Sequence, residues 1–484
     1  MRKIGSLILL CLLVVSLIST VSFAAKKPPV TLTVCLPNWS GATDPALQEE
    51  TKKYMEQQNN LIIKMIYIPM NSYSDKLNVL LASGDIPDVY QVTKAMVNVQ
   101  AFATKGYAMD IDKYVKKNKI CKTVIPQKYF DYLKVNGKVY AIPRAKEQEK
   151  IIWLRRDIAD KYGVNLSSTP TTEEFYNEMK KIKDVIPFTF PKFLDNLPFF
   201  YASFNTYDEI TKNKKGKYFD TFNTPEMKEC LTYLNRLYRD GILDKEFPTN
   251  DNTVLRNNLI SGKAAANIDY DNRFFYYNNE ITRLDPNAKP NLQPIFKLVG
   301  PKKGSGGTLN EAMQDAFAVS PKCKNPQAAV DFIAWMVGTA EGIKAYRFGL
   351  PGKHYVAENG MLQLTPQAQA GGMSLDQTSL LKQFIDFEQM KFEGEFPNAE
   401  LVSVYNNLIV KEISKHSGPK HIIPAGASAI YDGVGPSLIK KRQEIALKII
   451  LGTVSVEDGF KDYEAYFKSI NGEQMLKELN AKKE

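Results

Sequence analysis

The side chains that could carry out chemistry are few, and their spacing fits binding better than catalysis. Only three histidines occur, His354, His416 and His421, and none forms the H-x-x-x-H spacing of a zinc hydrolase. The sequence contains no G-x-x-x-x-G-K-[ST] phosphate loop and no G-x-S-x-G nucleophile elbow. The 53 acidic residues are too many for any one pair to indicate glycoside cleavage. These patterns therefore indicate no cofactor and no metal site, and a Ser–His–Asp triad stays open at this point.

Side chains that follow two predicted strands offer groups for binding. Tyr270, Asp271 and Arg273 come after the apolar strand Ala264–Ile268 and supply an aromatic ring, an acceptor and a donor. Trp39 comes after the first predicted strand. Because α/β sheets bind ligands at the carboxyl ends of their strands, these positions are candidate contacts. Trp39 has an alternative role as a loop anchor against the helix that follows it.

The elements that must position these residues alternate along the N-terminal part of the chain. Strands and helices are predicted in turn over Val30–Cys35, Asp44–Gln58, Leu61–Ile68, Ser74–Ala82 and the strand that opens at Asp88–Gln91. Asp44 and Pro45 are typical of a helix start, and Gly84 is typical of a helix end. Pro37–Gly41 is predicted to break the first strand. The alternation predicts a mainly parallel sheet with helices on both faces.

Helical patterns dominate the later part of the chain. Predicted helices cover Thr171–Lys183, Pro225–Asp240, Asn325–Met336 and most of Ser437–Leu479. Thr171 and Glu174 have the spacing of a capping box. The segment Phe188–Phe204 is rich in Phe, Pro and Tyr and follows no clean period, so we expect an irregular surface or cleft wall there.

Residues 1–24 form a predicted secretory signal peptide. Arg2 and Lys3 precede the apolar run Leu7–Ile18 and the small residues of Ser22–Ala25. We expect cleavage after Ala24 or the residue that follows it, and export to the cell surface, the extracellular space or the periplasm. An uncleaved anchor is the alternative, although Ser, Thr and Gly dilute the roughly 20 apolar residues that a spanning helix needs. Export excludes most nucleotide-dependent and DNA-directed functions.

Charge and cysteine usage set further bounds. The 484 residues carry a formal charge of +10, and removing Arg2 and Lys3 with the signal peptide leaves +8. This excess fits a basic face toward an anionic wall or membrane, or a simple surface bias toward lysine, and does not indicate nucleic acid. The remaining cysteines, which contain no C-x-x-C pair, allow two disulfides or four buried free thiols: Cys35, Cys121, Cys230 and Cys323.

Several sequence blocks, taken in order, resemble the extracellular solute-binding proteins of bacterial ABC importers. The similarity is to family 1, in its LipO-like group that binds sugars and oligosaccharides. The matching blocks are Leu80–Val89 (ASGD-x-PD), Gly106–Ile111, Asn136–Pro143 (GK-x-YA-x-P), Leu154–Asp157 with Tyr162–Gly163, Asp240–Glu246, Ile260–Ala265, Lys324–Ala329, Phe348–Tyr355 and Lys448–Gly452. Together they span the chain from about residue 30 to its end.

The resemblance implies a type II periplasmic-binding-protein-like fold with two interwoven α/β lobes, a hinge and a helical C-terminal region. We expect lobe 1 to comprise residues 25–145 with about 310–350, and lobe 2 to comprise residues 146–309 with about 351–484. The resemblance also implies that a carbohydrate is held between the lobes and delivered to membrane permease subunits. We expect a monomer with no nucleic-acid partner.

The chain departs from the family pattern in two places. Many relatives carry a calcium loop after the helix that corresponds to Thr171–Lys183. Here Asp184–Pro187 follows directly and cannot supply the six to eight oxygen ligands that calcium takes. Lipoproteins carry a Cys after a small residue at the cleavage point, whereas Cys11 lies inside the apolar core of the signal segment and Cys35 in a strand. The chain is therefore not an obvious lipoprotein.

The remaining candidate contacts each have a structural alternative. Arg144 follows the Pro143 turn, where its guanidinium could hold hydroxyls or a uronate carboxylate, or pair with Glu147 or Glu149 on the surface. Trp153 lies in a strand and is more often a core residue than a ligand contact.

Four further candidates lie near predicted element ends. Asp88 and Gln91 flank the start of the third strand, where Asp88 has the alternative role of fixing the turn. His354 and Tyr355 are candidates for the cleft edge or the hinge. Asp315 precedes a predicted crossover strand between the lobes.

Two other function classes stay open from the sequence. A secreted enzyme that acts on polysaccharides would share the export signal, and product formation would distinguish it. A surface receptor that reports a ligand to a membrane kinase would share the fold and differ only in its partner.

Overall fold

The computed structural model shows an α/β protein built around two sheets. It describes residues 28–38, 44–93, 95–146, 149–192, 194, 197–207, 209–288, 291–304, 315–358, 361–371, 373, 382–385, 390, 403, 405–412, 423 and 428–481. The predicted signal peptide, its cleavage site, Trp39 and Glu147 lie outside these residues. None of the described helices is both long enough and apolar enough to cross a membrane.

Fifteen strands are present in the described residues. They are β1 (Val30–Asn38), β2 (Leu61–Pro69), β3 (Val89–Thr93), β4 (Lys134–Val135), β5 (Lys138–Val139), β6 (Ala141–Pro143), β7 (Lys150–Leu154), β8 (Ile186–Thr189), β9 (Ile210–Lys212), β10 (Tyr218–Asp220), β11 (Ala264–Tyr270), β12 (Gln293–Ile295), β13 (Asp315–Val319), β14 (Tyr355–Glu358) and β15 (Met361–Leu364).

Eighteen α-helices accompany them in the same part of the chain. They are α1 (Pro45–Asn59), α2 (Tyr73–Ser83), α3 (Ala95–Thr104), α4 (Asp112–Val115), α5 (Lys119–Thr123), α6 (Gln127–Asp131), α7 (Arg156–Ala159), α8 (Thr172–Met179), α9 (Pro198–Ser203), α10 (Pro225–Arg239), α11 (Asn252–Ile260), α12 (Phe274–Leu284), α13 (Pro326–Gly338), α14 (Ala340–Phe348), α15 (Pro366–Ala370), α16 (Ala429–Leu451), α17 (Val456–Ser469) and α18 (Gly472–Ala481). A π-helical turn covers Tyr405–Val410.

The first sheet has the strand order β2-β1-β3-β13-β6. β1 runs parallel to β2 in a register from Val30 opposite Leu61 to Asn38 opposite Pro69, and also parallel to β3. β13 comes from much later in the chain and inserts antiparallel between β3 and β6. The predicted interwoven architecture is therefore confirmed, since one sheet needs strands from two distant parts of the sequence.

The second sheet has the order β12-β7-β11-β8. β11 runs parallel to β8 and antiparallel to β7. β12 is antiparallel to β7, so β12, β11 and β8 share one direction. Their carboxyl ends therefore meet at the edge where β7 begins, and this edge carries Tyr270 and Lys150.

Local capping explains where the predicted helices begin and end. The Asp44 carboxylate accepts the N–H of Ala46 at 2.8 Å and starts α1. Gly84 ends α2 in the left-handed conformation at φ 85°, which glycine adopts without strain. Thr171 and Glu174 form the predicted capping box of α8. That helix ends at Met179 rather than at the predicted Lys183.

Two expectations about aromatic and proline residues were wrong. The described aromatic residues of Phe188–Phe204 belong to a buried core rather than to an irregular wall, with the ring centroids of Phe188 and Phe200 5.9 Å apart. Strand β1 continues through Pro37 to Asn38 instead of breaking. Beyond Cys35, β1 pairs with β2 alone, so its other side has no strand partner. A proline has no N–H to donate and is tolerated in a strand where the N–H would point to such an unpaired side.

The C-terminal helices pack on the second lobe, and Arg442 in α16 holds them there. Its guanidinium, 2% exposed, donates to Asp220 Oδ1 at 2.7 Å and to the Tyr463 hydroxyl at 2.8 Å. The Asn235 amide of α10 donates to the last carbonyls of α16, at 3.0 Å from Ile449 O. The predicted helical C-terminal region is confirmed.

The residue numbers given for the lobe boundaries stay a prediction. The segment that follows α14 nevertheless contacts α1 and the residue that caps it. The Asp44 N–H donates to Gly371 O at 2.9 Å, and Lys353 pairs with Glu50 at 2.9 Å. Lys353 and Gly371 therefore lie against α1 and its N-cap residue, beside the first sheet.

The four cysteines of the described chain are free and buried. Burial raises the pKa of Cys35 and of Cys323 to about 11, and that of Cys121 to about 12. The thiols are therefore protonated at neutral pH and act as small apolar residues, and the alternative of two disulfides among them is excluded.

Candidate functional site

A short crossover joins the carboxyl edges of the two sheets. β6 ends at Pro143 beside the start of β13, and β7 begins at Lys150 beside the end of β11. The seven Cα–Cα steps from Pro143 to Lys150 span at most about 25 Å, so the two edges lie within that distance of each other. The Lys146 N–H donates to Lys382 O at 2.6 Å and ties a third segment to the crossover. A site between the lobes must be built from these two edges.

Arg144 and Asp315 form an ion pair at the edge of the first sheet. The distance from Arg144 Nη2 to Asp315 Oδ2 is 2.6 Å, and the side chains are 13% and 7% exposed. The Arg144 N–H also donates to Asp315 O at 3.1 Å. The alternative pairing of Arg144 with Glu149 stays a prediction.

Gln91 lies in β3 on the same edge, and its side chain is fully buried. Its Oε1 accepts the Tyr346 hydroxyl at 2.7 Å, while its Nε2 has no hydrogen-bond partner among the described residues. Burial raises the pKa of Tyr346, so this hydroxyl stays protonated and donates. An unpartnered buried amide donor costs stability, which indicates that it serves something other than packing.

A cavity of about 130 Å³ opens beside this cluster, between β1, α1, β2 and α14. Its polar lining includes Asn38, Gln48, Tyr67, Tyr346 and Arg347. It is smaller than the roughly 300 Å³ at which drug-sized pockets begin, so it holds at most one part of a larger ligand. Asn38, the neighbour of the candidate Trp39, places the end of β1 at this cavity.

Asp271 on the second edge is fully buried and saturated by donors. Lys382 and the Tyr405 hydroxyl, the latter at 3.4 Å, both contact Oδ2. The Glu149 N–H donates to Oδ1 at 3.4 Å, and the Asp271 N–H donates back to Glu149 O at 2.8 Å. The predicted ligand contact therefore also anchors the crossover to the second sheet.

The other two side chains of this predicted cluster remain near the edge. Tyr270 is half-buried, and the Lys150 ammonium lies 5.2 Å from the centroid of its ring. The Arg273 guanidinium lies 5.6 Å from the ring of Tyr276. These groups supply an aromatic face and positive charge at the carboxyl end of β11.

A buried network below the second edge was missed by sequence reasoning. Arg256 holds Asp269 through two hydrogen bonds, at 2.7 and 3.2 Å, and the Tyr277 hydroxyl donates to Asp269 at 2.8 Å. Burial opposes ionisation of Asp269, but the Arg256 charge outweighs it and lowers the pKa to about 2. Tyr277 also accepts the Asn267 amide at 2.7 Å.

Two predicted contacts have structural partners. The indole of Trp153 is fully buried against Phe274, and its Nε1–H donates to Tyr270 O at 3.1 Å. Asp88 lies at the amino end of β3, away from the carboxyl edge, where its Oδ2 accepts the N–H of Thr33 at 2.8 Å. These contacts explain both positions by packing and by strand alignment.

His354 lies against α1 and is one of the residues that line the cavity, whereas Tyr355 packs behind it. His354 Nδ1 accepts the Leu350 N–H at 2.9 Å, so the proton is on Nε2, which lies 3.1 Å from Leu47 O. The ring is 1% exposed and docks the loop after α14 onto α1. Tyr355 is buried, with its ring 6.2 Å from that of Phe348.

Three residues that the sequence patterns did not indicate complete the two edges: Tyr346, Lys382 and Tyr405. Tyr346 contacts Gln91 across 255 residues of sequence, and Lys382 contacts Asp271 across 111. The one signal in the sequence is that Tyr346 lies two residues before the matching block Phe348–Tyr355. No group of three or more His, Cys, Asp or Glu side chains in the described residues could hold a metal ion. The expected lack of calcium at Asp184–Pro187 stays a prediction.

A model of the bacterial extracellular solute-binding protein family matches residues 38–343. The chain belongs to this family. The match covers strands and helices of both lobes, including the crossover, and confirms the resemblance of the sequence blocks. Since the family is extracellular, the predicted export is confirmed as well.

Individual relatives of this solute-binding protein are distant but extensive. Lipoprotein LipO of Bacillus subtilis (strain 168) is 22% identical over 464 residues, 90% of this chain and 89% of LipO. A carbohydrate ABC transporter substrate-binding protein of Streptococcus pneumoniae serotype 4 is 23% identical over 322 residues, 64% of this chain and 62% of that protein. Since LipO is a lipoprotein, our expectation of no lipid anchor stays a prediction.

Solved structures support the fold. The alginate-binding protein AlgQ2 without calcium ion superposes with a TM-score of 0.70 at 17% identity, covering 94% of this chain and 98% of AlgQ2. This likeness confirms the expected two-lobe fold class.

Proposed function

We propose that the chain is the carbohydrate-binding subunit of an ABC importer, which captures an oligosaccharide between its lobes and delivers it unchanged to membrane permease subunits. The relatives support the ligand class, since one is named as a carbohydrate ABC transporter substrate-binding protein and another binds alginate. The protein works as an exported monomer and has no nucleic-acid partner.

The observation that carries the proposal is that a six-residue crossover joins the carboxyl edges of the two sheets. On the first edge, Gln91 offers an unpartnered amide donor beside Arg144 and Tyr346. On the second, Tyr270 offers a ring face beside positive charge. Sugars need aromatic faces for their C–H patches and polar groups for their hydroxyls, and the two edges supply one of each.

The carboxylates at these edges support binding rather than hydrolysis. A glycosidase needs a general acid with a raised pKa. Here the pKa of Asp269 is lowered, and Asp315 and Asp271 are each held by a cationic side chain. The Arg256 charge stabilises the Asp269 carboxylate as the anion, so Asp269 cannot serve as that general acid at neutral pH.

Thermal unfolding with a panel of neutral and acidic oligosaccharides tests this function. A ligand at about 100 times its dissociation constant adds roughly 2.7 kcal/mol to the free energy of unfolding, and the melting temperature rises with it. The recovered oligosaccharide should have its original length. Shortened chains after incubation would identify an enzyme, and a panel without any shift would remove carbohydrate as the ligand class.

Delivery is tested separately with the permease in vesicles. Uptake of the identified sugar should require both the permease and this protein. If the sugar binds but no permease takes it up, the receptor alternative replaces the importer.

A further inference from the structure

The positive charge of this protein is concentrated on one part of the first lobe. Residues 105–138 contain nine lysines and three aspartates, a net +6 of the chain's +10. Five of the lysines lie within ten residues, on α4 and α5 and the turns after them. We call these five residues the basic face: Lys113, Lys116, Lys117, Lys119 and Lys122.

The basic face is solvated and largely uncompensated. All five side chains are exposed. Lys116 pairs with Asp112, whereas the other four form no ion pair with a described residue. Asp331 of α13 lies nearby, where it accepts the Asn118 amide at 2.7 Å. Even with both aspartates counted, the face keeps a net positive charge.

The basic face lies at the end of the first lobe away from the cleft. The Met109 N–H donates to Val319 O at 2.9 Å, and the Ile111 N–H donates to Val139 O at 2.8 Å. Val319 is the last residue of β13, whereas Asp315 at the cleft edge is the first. The five residues of β13 separate the two ends by about 14 Å of strand. A surface that contacts the basic face therefore leaves the cleft open.

Half-buried tyrosines accompany the lysines. The Lys113 ammonium lies 4.9 Å from the centroid of the Tyr114 ring, and Tyr107 and Tyr132 are also half-buried. Tyrosine combines an apolar ring with a polar end and is enriched at membrane interfaces, beside lysines whose ammonium groups contact headgroups. This composition favours a lipid surface over a soluble polyanion.

We infer that the basic face docks the first lobe onto a membrane surface that displays anionic phospholipids. Lysines near such a surface act additively, and their attraction falls off within a Debye length of about 8 Å at physiological salt. Docking holds the protein at the membrane without a lipid anchor and with its cleft accessible. The inference does not depend on which ligand the cleft takes.

Cosedimentation of the full chain with lipid vesicles tests the inference. The variant K113Q/K117Q/K119Q/K122Q removes four of the five lysines. The control variant K212Q/K214Q/K215Q/K217Q removes four lysines from the β9–β10 hairpin of the second lobe. All three chains share the apolar N-terminal segment, so its own affinity for lipid cancels in the comparison. Unchanged melting temperatures establish that both variants are folded.

Wild-type protein should bind vesicles of equal parts phosphatidylcholine and phosphatidylglycerol, and high salt should weaken this binding. We expect binding by the basic-face variant to fall by about a hundredfold or more. The control should lose less than about fivefold, because its lysines belong to the β9–β10 hairpin and not to the basic face.

Three outcomes would overturn the inference. They are equal binding to vesicles of phosphatidylcholine alone, an equal loss in both variants, and binding to soluble polyglycerol phosphate without binding to vesicles. The last would assign the basic face to a wall polymer instead of a membrane.

Discussion

Each of the two sheets contains a fully buried amide side chain that is hydrogen-bonded to a tyrosine hydroxyl. The two amides differ in which of their groups, the donor or the acceptor, is left without a partner. Gln91 accepts the Tyr346 hydroxyl at 2.7 Å and keeps a spare N–H donor. Asn267 donates to the Tyr277 hydroxyl at 2.7 Å and keeps a spare carbonyl acceptor. The first amide lies near the carboxyl edge, two residues before the end of β3. The second lies within β11, where its strand partner Trp153 is buried.

The surroundings of the two pairs differ even more. The Tyr277 hydroxyl donates to the Asp269 carboxylate, which also accepts hydrogen bonds from Arg256 and from the Tyr270 N–H. Around Gln91, the nearest charged pair is the less completely buried Arg144–Asp315. In the second sheet the buried polar groups bond to one another and stabilise the fold. In the first sheet, the Gln91 amide keeps a donor that could bind a ligand. Breaking the two regions should therefore affect different measurements.

Arg256→Met should produce the largest effect. It leaves the Asp269 carboxylate, 4% exposed, without its cation. We expect the free energy of unfolding to fall by about 3–5 kcal/mol, measured by chemical denaturation.

Arg283→Met is the matched control, since its ion pair with Glu280 is exposed and the change should cost less than about 1 kcal/mol. If the free energy of unfolding falls by the same small amount in both variants, the buried network of the second sheet does not stabilise the fold. The contrast with the first sheet then disappears.

Acid should weaken the same network. The folded-state pKa of Asp269, about 2, is below the ordinary value of 3.8 for an aspartate. The ionised carboxylate therefore adds stability above about pH 4, and this contribution is lost as the pH falls toward 2. Linkage puts it at about 2–3 kcal/mol.

The isosteric variant Asp269→Asn isolates this effect from that of other carboxylates. The difference in unfolding free energy between wild type and Asp269→Asn should be largest near pH 5 and should vanish near pH 2. A difference that stays constant over this range would show that the charge of Asp269 is not stabilised by folding.

Gln91→Met should have the smallest effect on stability and a selective effect on binding. The loss of the Tyr346 acceptor opposes the gain from removing an unpartnered donor, so unfolding should change by less than about 1 kcal/mol. Affinity for the oligosaccharide found by the thermal screen should fall about tenfold, measured by titration calorimetry.

Asn267→Leu provides the matched comparison in the second sheet, with a loss of stability and unchanged affinity. Equal affinities of Gln91→Met and wild type would remove the spare amide donor from the site.

Local signals predicted most elements and some of their ends. Asp44, Gly84 and the Thr171 capping box act within four residues of themselves, so their effect is visible in the sequence. The aromatic segment Phe188–Phe204 was misread because burial on all sides removes the alternation that marks a half-exposed strand. The burial of this segment depends on the helices that pack over it, and these come from other parts of the sequence.

The candidate site was only partly predictable for the same reason. The positions of Arg144 and Tyr270 at strand ends follow from the order of elements, whereas Gln91 was expected at the start of the third strand and lies near its carboxyl end. The partners of these residues do not follow from that order, because Tyr346 and Asp315 come from segments far along the chain. No spacing rule links such residues before the sheet brings them together.

The sequence by itself determined the alternation of elements, the caps, the export segment and the family, because each depends on neighbouring residues or on ordered blocks. Which buried polar groups have a hydrogen-bond partner and which do not was settled only in the tertiary structure. Insertion of β13 beside β3 sets Asp315 against Arg144 and leaves Gln91 with one partner. Whether a buried donor is satisfied depends on residues hundreds of positions away, and that proximity exists only in the folded chain.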